Sequence, residues 1–272
     1  MIDNPRSPRV RAVAKLAKKA ARFDTGLFLV EGPQAVGEAL QWRPDVVVEL
    51  YATPTALEKH SGLGKAAMAA GVDVTFVTEA VLDAIADTVT PQGIVAVCRQ
   101  FPTSVKDILR PGDDAPRLVA ILEEVRDPGN AGTIIRVADA AGADAVILAG
   151  RSVDPWHPKV VRATTGSLFH LPVATGGQLD SVVERAHAVG IQIVAADIKG
   201  DDLLTARSSG ALAEPTAWLF GNEARGLDDD TLALADRVVS VPIYGRAESL
   251  NLATAAAVCL FESAFAQRAS AG

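Results

Sequence analysis

Cysteine is nearly missing from this chain: 272 residues hold only Cys98 and Cys259, far apart in sequence. Two thiols exclude a disulfide scaffold and an all-cysteine zinc site, which needs four thiolates. Both sit in apolar stretches and read as small reduced core residues, the pattern of a cytoplasmic protein. No apolar run approaches the roughly 18–20 residues that span a bilayer. The basic N-terminus has no apolar stretch behind it, so no secretory signal is read, and Asp3 and Asp24 interrupt the pattern of a transit peptide. No G-x-G-x-x-G is present where a dinucleotide-binding oxidoreductase needs one; Gly129 and Gly132 stand three apart. What the chain does have is a hydrophobic fraction of 49%, ample for real cores. At roughly 150 residues per domain its length suggests two modest domains.

The net charge of −7 argues, taken alone, against a nucleic-acid partner. Its distribution argues otherwise. Residues 1–22 hold Arg6, Arg9, Arg11, Lys15, Lys18, Lys19 and Arg22 against Asp3 only, a net of +6, so the rest of the chain carries −13. Within 9–22, Val10, Val13, Ala14, Ala17, Ala20 and Ala21 fall at helical spacing, which predicts a short amphipathic helix. A basic arm on an acidic body suits an anionic partner; a merely solvated helix face is the plainer reading.

Short apolar runs alternate with helical patterns along the chain, which predicts an α/β layer structure. Strands are expected at 27–30, 46–51, 72–77 and 94–98, then at 118–122, 145–148, 171–173, 191–195, 216–220 and 238–243. Pro102, Pro111, Gly112 and Pro116 mark 101–116 as a linker between a region 1–100 and a region 117–272.

Three loops at expected strand ends carry more chemistry than turns require, and ligands of open parallel sheets bind at such ends. In 122–143, Asn130 stands where a helix N-cap belongs, and Arg136 lies about 9 Å further along that helix. In 218–230, an apolar strand runs into Gly221, Asn222 and Glu223, with Gly226 allowing a tight return. In 241–262, Ser249 is a plausible N-cap, and Asn251 is a lone amide at the start of an apolar helix. Each loop alone also has a structural reading as caps and turn glycines.

Together the three segments resemble the motifs of the SpoU (TrmH-like) branch of the SPOUT RNA 2′-O-ribose methyltransferases. The first matches as Asp127-Pro128-Gly129-Asn130-Ala131-Gly132 with Arg136, the second as Gly221-Asn222-Glu223 with Gly226-Leu227, the third as Pro242 with Ser249-Leu250-Asn251. Residues 166–173 (GSLFHLPV) are similar to a middle stretch of that family. Phe28-Leu29-Val30-Glu31-Gly32 and Gln92-Gly93 resemble its substrate-binding domain; after Ser249-Leu250-Asn251 the chain has Leu252-Ala253 where the family often has Val-Ser.

The resemblance implies an α/β fold: a C-terminal SPOUT domain (117–272) with a parallel sheet and a deep trefoil knot, and a smaller N-terminal L30e-like α/β domain (1–100). It implies a homodimer through the C-terminal domain, with S-adenosylmethionine held by Leu219, Phe220, Gly221, Asn222, Gly226, Val241, Ile243 and Leu250. Arg136 is assigned to activating a ribose 2′-OH, with Asn130, Glu223, Ser249 and Asn251 around it. An arginine is a poor base in water, so orienting a substrate phosphate is an equally physical role. The methyl of a sulfonium is already activated, so no metal is expected. RNA contacts are expected from Arg9, Arg11, Lys15, Lys18, Lys19 and Arg22, and from Arg126, Arg151, Lys159, Arg162, Arg225 and Arg246. With few aromatic residues for stacking, structured 23S rRNA is favoured over a long single strand. A tRNA 2′-O-methyltransferase and a non-catalytic rRNA-binding protein are the alternatives.

Overall fold

A computed structural model describes residues 1–112 and 115–270. Asp113 and Asp114 of the expected linker, and Ala271 and Gly272 at the end of the second expected region, lie outside the described residues. The chain divides into two compact units, Met1–Phe101 with Trp156–His170, and Pro102–Pro155 with Leu171–Gly272.

In the first unit, β1 (Leu27–Glu31), β2 (Val47–Ala52), β3 (Asp73–Phe76) and β4 (Ile94–Arg99) form a sheet in the order β1-β4-β2-β3. β4 runs antiparallel to both neighbours, and β2 and β3 are parallel. Leu29, Tyr51, Val95 and Val97 from the sheet pack with Val81, Leu82 and Ile85, and Val10, Val13 and Leu16 of the basic segment join this core. That segment is not one helix. It runs as Pro8–Ala14, a 3-10 turn at Lys15–Ala17, and a second helix at Lys19–Thr25. The break falls at Lys18, whose backbone is extended. Trp156 and Phe169 come from far along the sequence to an aromatic cluster with Phe28 and Phe101, the Phe28–Trp156 centroids 4.7 Å apart. Such pairs contribute about 0.5–1.5 kcal/mol each beyond the area they bury.

The second unit is built on β5 (Leu118–Glu123), β6 (Ala145–Ala149), β7 (Val173–Thr175), β8 (Gln192–Asp202), β9 (Thr216–Phe220) and β10 (Arg237–Ser240). Every pairing is parallel, in the order β10-β8-β9-β5-β6-β7. Strands covered on both faces read as continuous apolar runs, which is why 118–122 and 216–220 show no alternation. In register, Leu122 faces Phe220 and Glu123 faces Ala149, so the loops after β5, β6 and β9 leave the sheet side by side. The C-terminal helix Leu252–Ser270 buries Ala256, Cys259, Leu260 and Ser263, and the Ser263 hydroxyl accepts from the Trp218 indole at 2.9 Å.

Three expectations shift. The strand expected at 191–195 continues to Asp202, and the one expected to reach 243 ends at Ser240. The extension pairs with β10 at Asp201 and Asp202 only, after residues 196–200 bulge out between the partners of Val238 and Val239, and a Cβ on Gly200 would lie 2.4 Å from the Val239 nitrogen. Inside the expected linker, Val105–Ile108 is helical, and Ile108 and Leu109 are buried in the core of the second unit.

Candidate active site

The first motif turns on a proline. Pro128 occupies the first helical position of Pro128–Ala141, where its missing N–H costs nothing. The cap is therefore Asp127, which accepts from the Asn130 N–H at 2.8 Å, and the expected capping role of Asn130 is corrected. The Asn130 side chain is left to reach across the site. Its amide nitrogen donates to Glu223 at 3.4 Å, and its oxygen accepts from the Asn251 amide at 3.0 Å.

Glu223 also accepts from the backbone N–H of Asp127 at 3.0 Å and of Arg126 at 3.3 Å. Its carboxylate therefore holds the loop that enters the first motif. Asn222 builds its own loop: its oxygen accepts from the N–H groups of Ala224 and Arg225, and its amide donates to the Glu124 carbonyl at 2.8 Å. Gly221 is required by close approach, because a Cβ there would lie 2.6 Å from the Gly226 backbone.

In the third motif, Asn251 rather than Ser249 caps the last helix. Its oxygen accepts from the N–H of Ala253 at 3.0 Å and of Thr254 at 3.3 Å. Asn is among the strongest N-caps, worth about 1 kcal/mol over Ala. One amide thus starts a helix and ties the third motif to the first.

These loops surround a cavity of about 410 Å³. Gly221, Asn222, Glu223, Gly226, Val241, Ile243, Ser249 and Leu250 of the expected site line it. Leu219 and Phe220 do not; both are fully buried within the sheet. Asn130 and Asn251 are not part of the lining but brace it through the Asn130 bond to Glu223, and Arg136 lies on an exposed part of its helix outside the lining. Sequence reasoning missed Asp197, Ile198 and Lys199, which β8 carries onto the wall. Ile198 is 72% exposed there. The polar run that follows Ala195 hid this extension.

One expected RNA contact is corrected. Arg22 is 1% exposed, and its guanidinium donates to the carbonyls of Leu16 and Ala17 at 2.9 Å each. Arg162 belongs to the first unit and pairs with Glu31 at 3.3 Å and Asp87 at 2.9 Å. Arg9 is paired as well, with Glu49 and with the hydroxyl of Tyr51. Burial, with Glu49 beside it, pushes that hydroxyl up to about 12. Arg11, Lys15, Lys18, Lys19 and Arg246 are exposed, as is Arg126, which pairs with Glu124 at 2.6 Å.

The family model described as the SpoU rRNA methylase family matches residues 117–261, and the MRM3-like substrate binding domain matches residues 7–96. The 23S rRNA (guanosine(2553)-2′-O)-methyltransferase RlmP of Bacillus subtilis is 34% identical over 266 residues, covering 96% of this chain and 97% of that protein. The crystal structure of an AdoMet-bound rRNA methyltransferase from Sinorhizobium meliloti superposes with a TM-score of 0.79 at 32% identity, covering 96% of each chain. The SpoU methyltransferase AviRb from Streptomyces viridochromogenes, also in complex with AdoMet, gives 0.81 at 29% identity over 97% of this chain and all of that one (100%).

Proposed function

The chain belongs to the SpoU rRNA methylase family, and from that premise we propose that it is an S-adenosylmethionine-dependent methyltransferase acting on a ribose 2′-OH of structured RNA, with 23S rRNA as the substrate. One observation carries the reading for this chain: Asn130 bonds to both Glu223 and Asn251, which ties all three motifs together at one cavity.

The residues present fit the cofactor. The cavity falls within the range of about 300–1,000 Å³ usual for small-molecule pockets. Ile198, Leu227, Val241, Ile243 and Leu250 give it apolar walls, and Asp197 supplies a carboxylate able to accept from an ammonium or from sugar hydroxyls. S-adenosylmethionine supplies a methyl already activated on a sulfonium. What the protein must add is position. Glu223, Asn130 and Asn251 fix the loops, so the reacting hydroxyl meets a prearranged wall rather than three mobile segments. Arg136 orients the phosphate beside that hydroxyl, whose proton passes to solvent as the oxygen takes the methyl.

Because Arg136 lies outside the cavity lining of its own chain, it meets the sugar from the substrate side or from a second copy. A cytoplasmic homodimer through the C-terminal domain supplies the second route. The last helix supports it, since Phe265 is 55% exposed on that helix and packs tilted against Phe261, with ring centroids 5.6 Å apart. Residues 1–100 are assigned to gripping RNA and 117–272 to catalysis, with the trefoil knot in the stretch where Gly200 meets the backbone of Val238 and Val239.

The test is mass mapping of rRNA and tRNA from cells with and without the protein, beside calorimetry with S-adenosylmethionine. One 2′-O-methyl lost from 23S rRNA is expected. A methyl lost from tRNA instead moves the assignment to that substrate, and no heat of cofactor binding rejects the enzyme reading for a passive RNA binder.

A further inference from the structure

Glu124 follows β5 with its backbone in the left-handed region, at φ 53°, a conformation that a side chain with a Cβ resists. Three arginines from three loops converge on its carboxylate. Arg126 follows in the same loop at 2.6 Å, Arg151 comes from the loop after β6 at 3.3 Å, and Arg225 from the loop after β9 at 3.3 Å. The Arg151 backbone N–H donates to it as well. Arg126 first, and then Arg151 through its guanidinium and its backbone N–H, hold the carboxyl down at about 2. Their side chains remain 54%, 85% and 68% exposed. One carboxylate cannot neutralise three cations, so a net positive face is left toward solvent on a chain of net charge −7.

This cluster borders a cavity of about 320 Å³ that shares Asn222, Arg225, Gly226 and Leu227 with the cofactor cavity. Of the acids lining it, Asp228 caps the helix Asp229–Leu232 and stays ionised near Arg225, which still leaves three guanidiniums against two carboxylates, and burial pushes the Glu123 carboxyl up.

We propose that Arg126, Arg151 and Arg225 form a clamp for RNA backbone phosphates beside the methyl-transfer cavity, and that Glu124 is the positioning residue that pre-sets their geometry. A guanidinium suits this task because its planar fork matches phosphate oxygens. Holding three such side chains in advance removes much of the ordering cost of binding. The inference rests on RNA being the substrate, as proposed above.

The test uses the full chain and an in vitro transcript of 23S rRNA, measuring binding against salt and methyl transfer separately. Arg151→Gln should lower the slope of log K against log salt by about 0.7–0.9. It should leave the melting temperature and S-adenosylmethionine affinity unchanged. Glu124→Gln should weaken RNA binding about tenfold and raise the KM for RNA while kcat holds within about twofold. Simple charge removal predicts the opposite sign, since losing a negative charge draws RNA closer. Tighter or equal RNA binding by Glu124→Gln, or an unchanged slope for Arg151→Gln, overturns the clamp while leaving the methyltransferase intact. A wild-type protein that binds the transcript with the expected slopes but transfers no methyl overturns the enzyme reading and leaves the clamp standing.

Discussion

The basic N-terminal segment and the loops around the cavity of the second unit both bring arginine close to acceptors, and they use it in opposite ways. In the segment, Arg22 lies buried with its donors turned to the carbonyls of Leu16 and Ala17, closing the break at Lys18. Arg9 is tied to Glu49 and Tyr51. Among the seven cations counted from sequence, these two serve the fold. At the cavity loops the acceptors are carboxylates, Glu124 and Glu223, which fix backbone and guanidinium geometry while Arg126, Arg151 and Arg225 stay open to solvent. Charge counted along a chain is thus not charge on offer. An arginine satisfied by buried carbonyls contributes stability, and one that shares an exposed carboxylate keeps its capacity for an anion.

The widest separation of the two regions should come from chemistry. Arg136→Ala is expected to cut methyl transfer by at least about 10²–10³-fold, the usual loss when one group that meets developing charge is removed. Cofactor affinity, measured by calorimetry, should stay within a few fold, because Arg136 does not line the cavity. Replacing Lys15, Lys18 and Lys19 together by Ala should instead weaken RNA binding and flatten its salt dependence with kcat preserved. Near-normal transfer by Arg136→Ala would erase the distinction.

The same contrast explains what the sequence made visible. The three site loops were legible because Asn222, Glu223, Asn251 and Arg136 are residues that turns and caps alone do not demand. The caps themselves were misassigned by two or three residues. Pro128 already pointed to Asp127, since proline favours the first helical position and the cap precedes it. Ser249 and Asn251 are both good caps, and local preference does not choose between them. The remainder was illegible for a different reason. Asp197, Ile198 and Lys199 reach the cavity because β8 bulges between its two pairings with β10, and Arg22 is buried at a helix break at Lys18; both are set by contacts that no local period encodes. The strand patterns survived because continuous burial writes itself into consecutive residues.

A smaller effect separates two neighbours within the basic segment. Arg22→Ala leaves the buried Leu16 carbonyl and the half-buried Ala17 carbonyl without their charged donor, and hydrogen bonds to a charged group are worth about 1.5–3 kcal/mol each. A loss of about 3 kcal/mol is expected, toward the low end of that sum because water can reach the Ala17 carbonyl, seen as a drop of several degrees in Tm, with RNA affinity kept by the protein that remains folded. Lys18→Ala, at an exposed position, should shift stability by no more than about 0.5 kcal/mol and reduce the salt slope of RNA binding. Equal stability of the two variants would mean that Arg22 is as available as its neighbours.

The smallest effect is a pH dependence at the cavity loops. Glu124 is held at about 2, first by Arg126 and then by Arg151, against about 4.3 for an unfolded glutamate. A depressed carboxyl stabilises the fold above the unfolded value and loses that contribution as pH falls through the folded one. The Tm of the wild type should therefore exceed that of Glu124→Gln by a constant margin from pH 7 to about 5. The margin should shrink between about 4 and 2, where the wild-type carboxyl becomes the neutral group that the variant already carries. It should amount to about a degree, because the guanidiniums are exposed and water screens them. A margin that instead grows as the solution is acidified would show the Glu124 carboxylate to be less stable in the fold than in water, and it would then serve neither the fold nor the clamp.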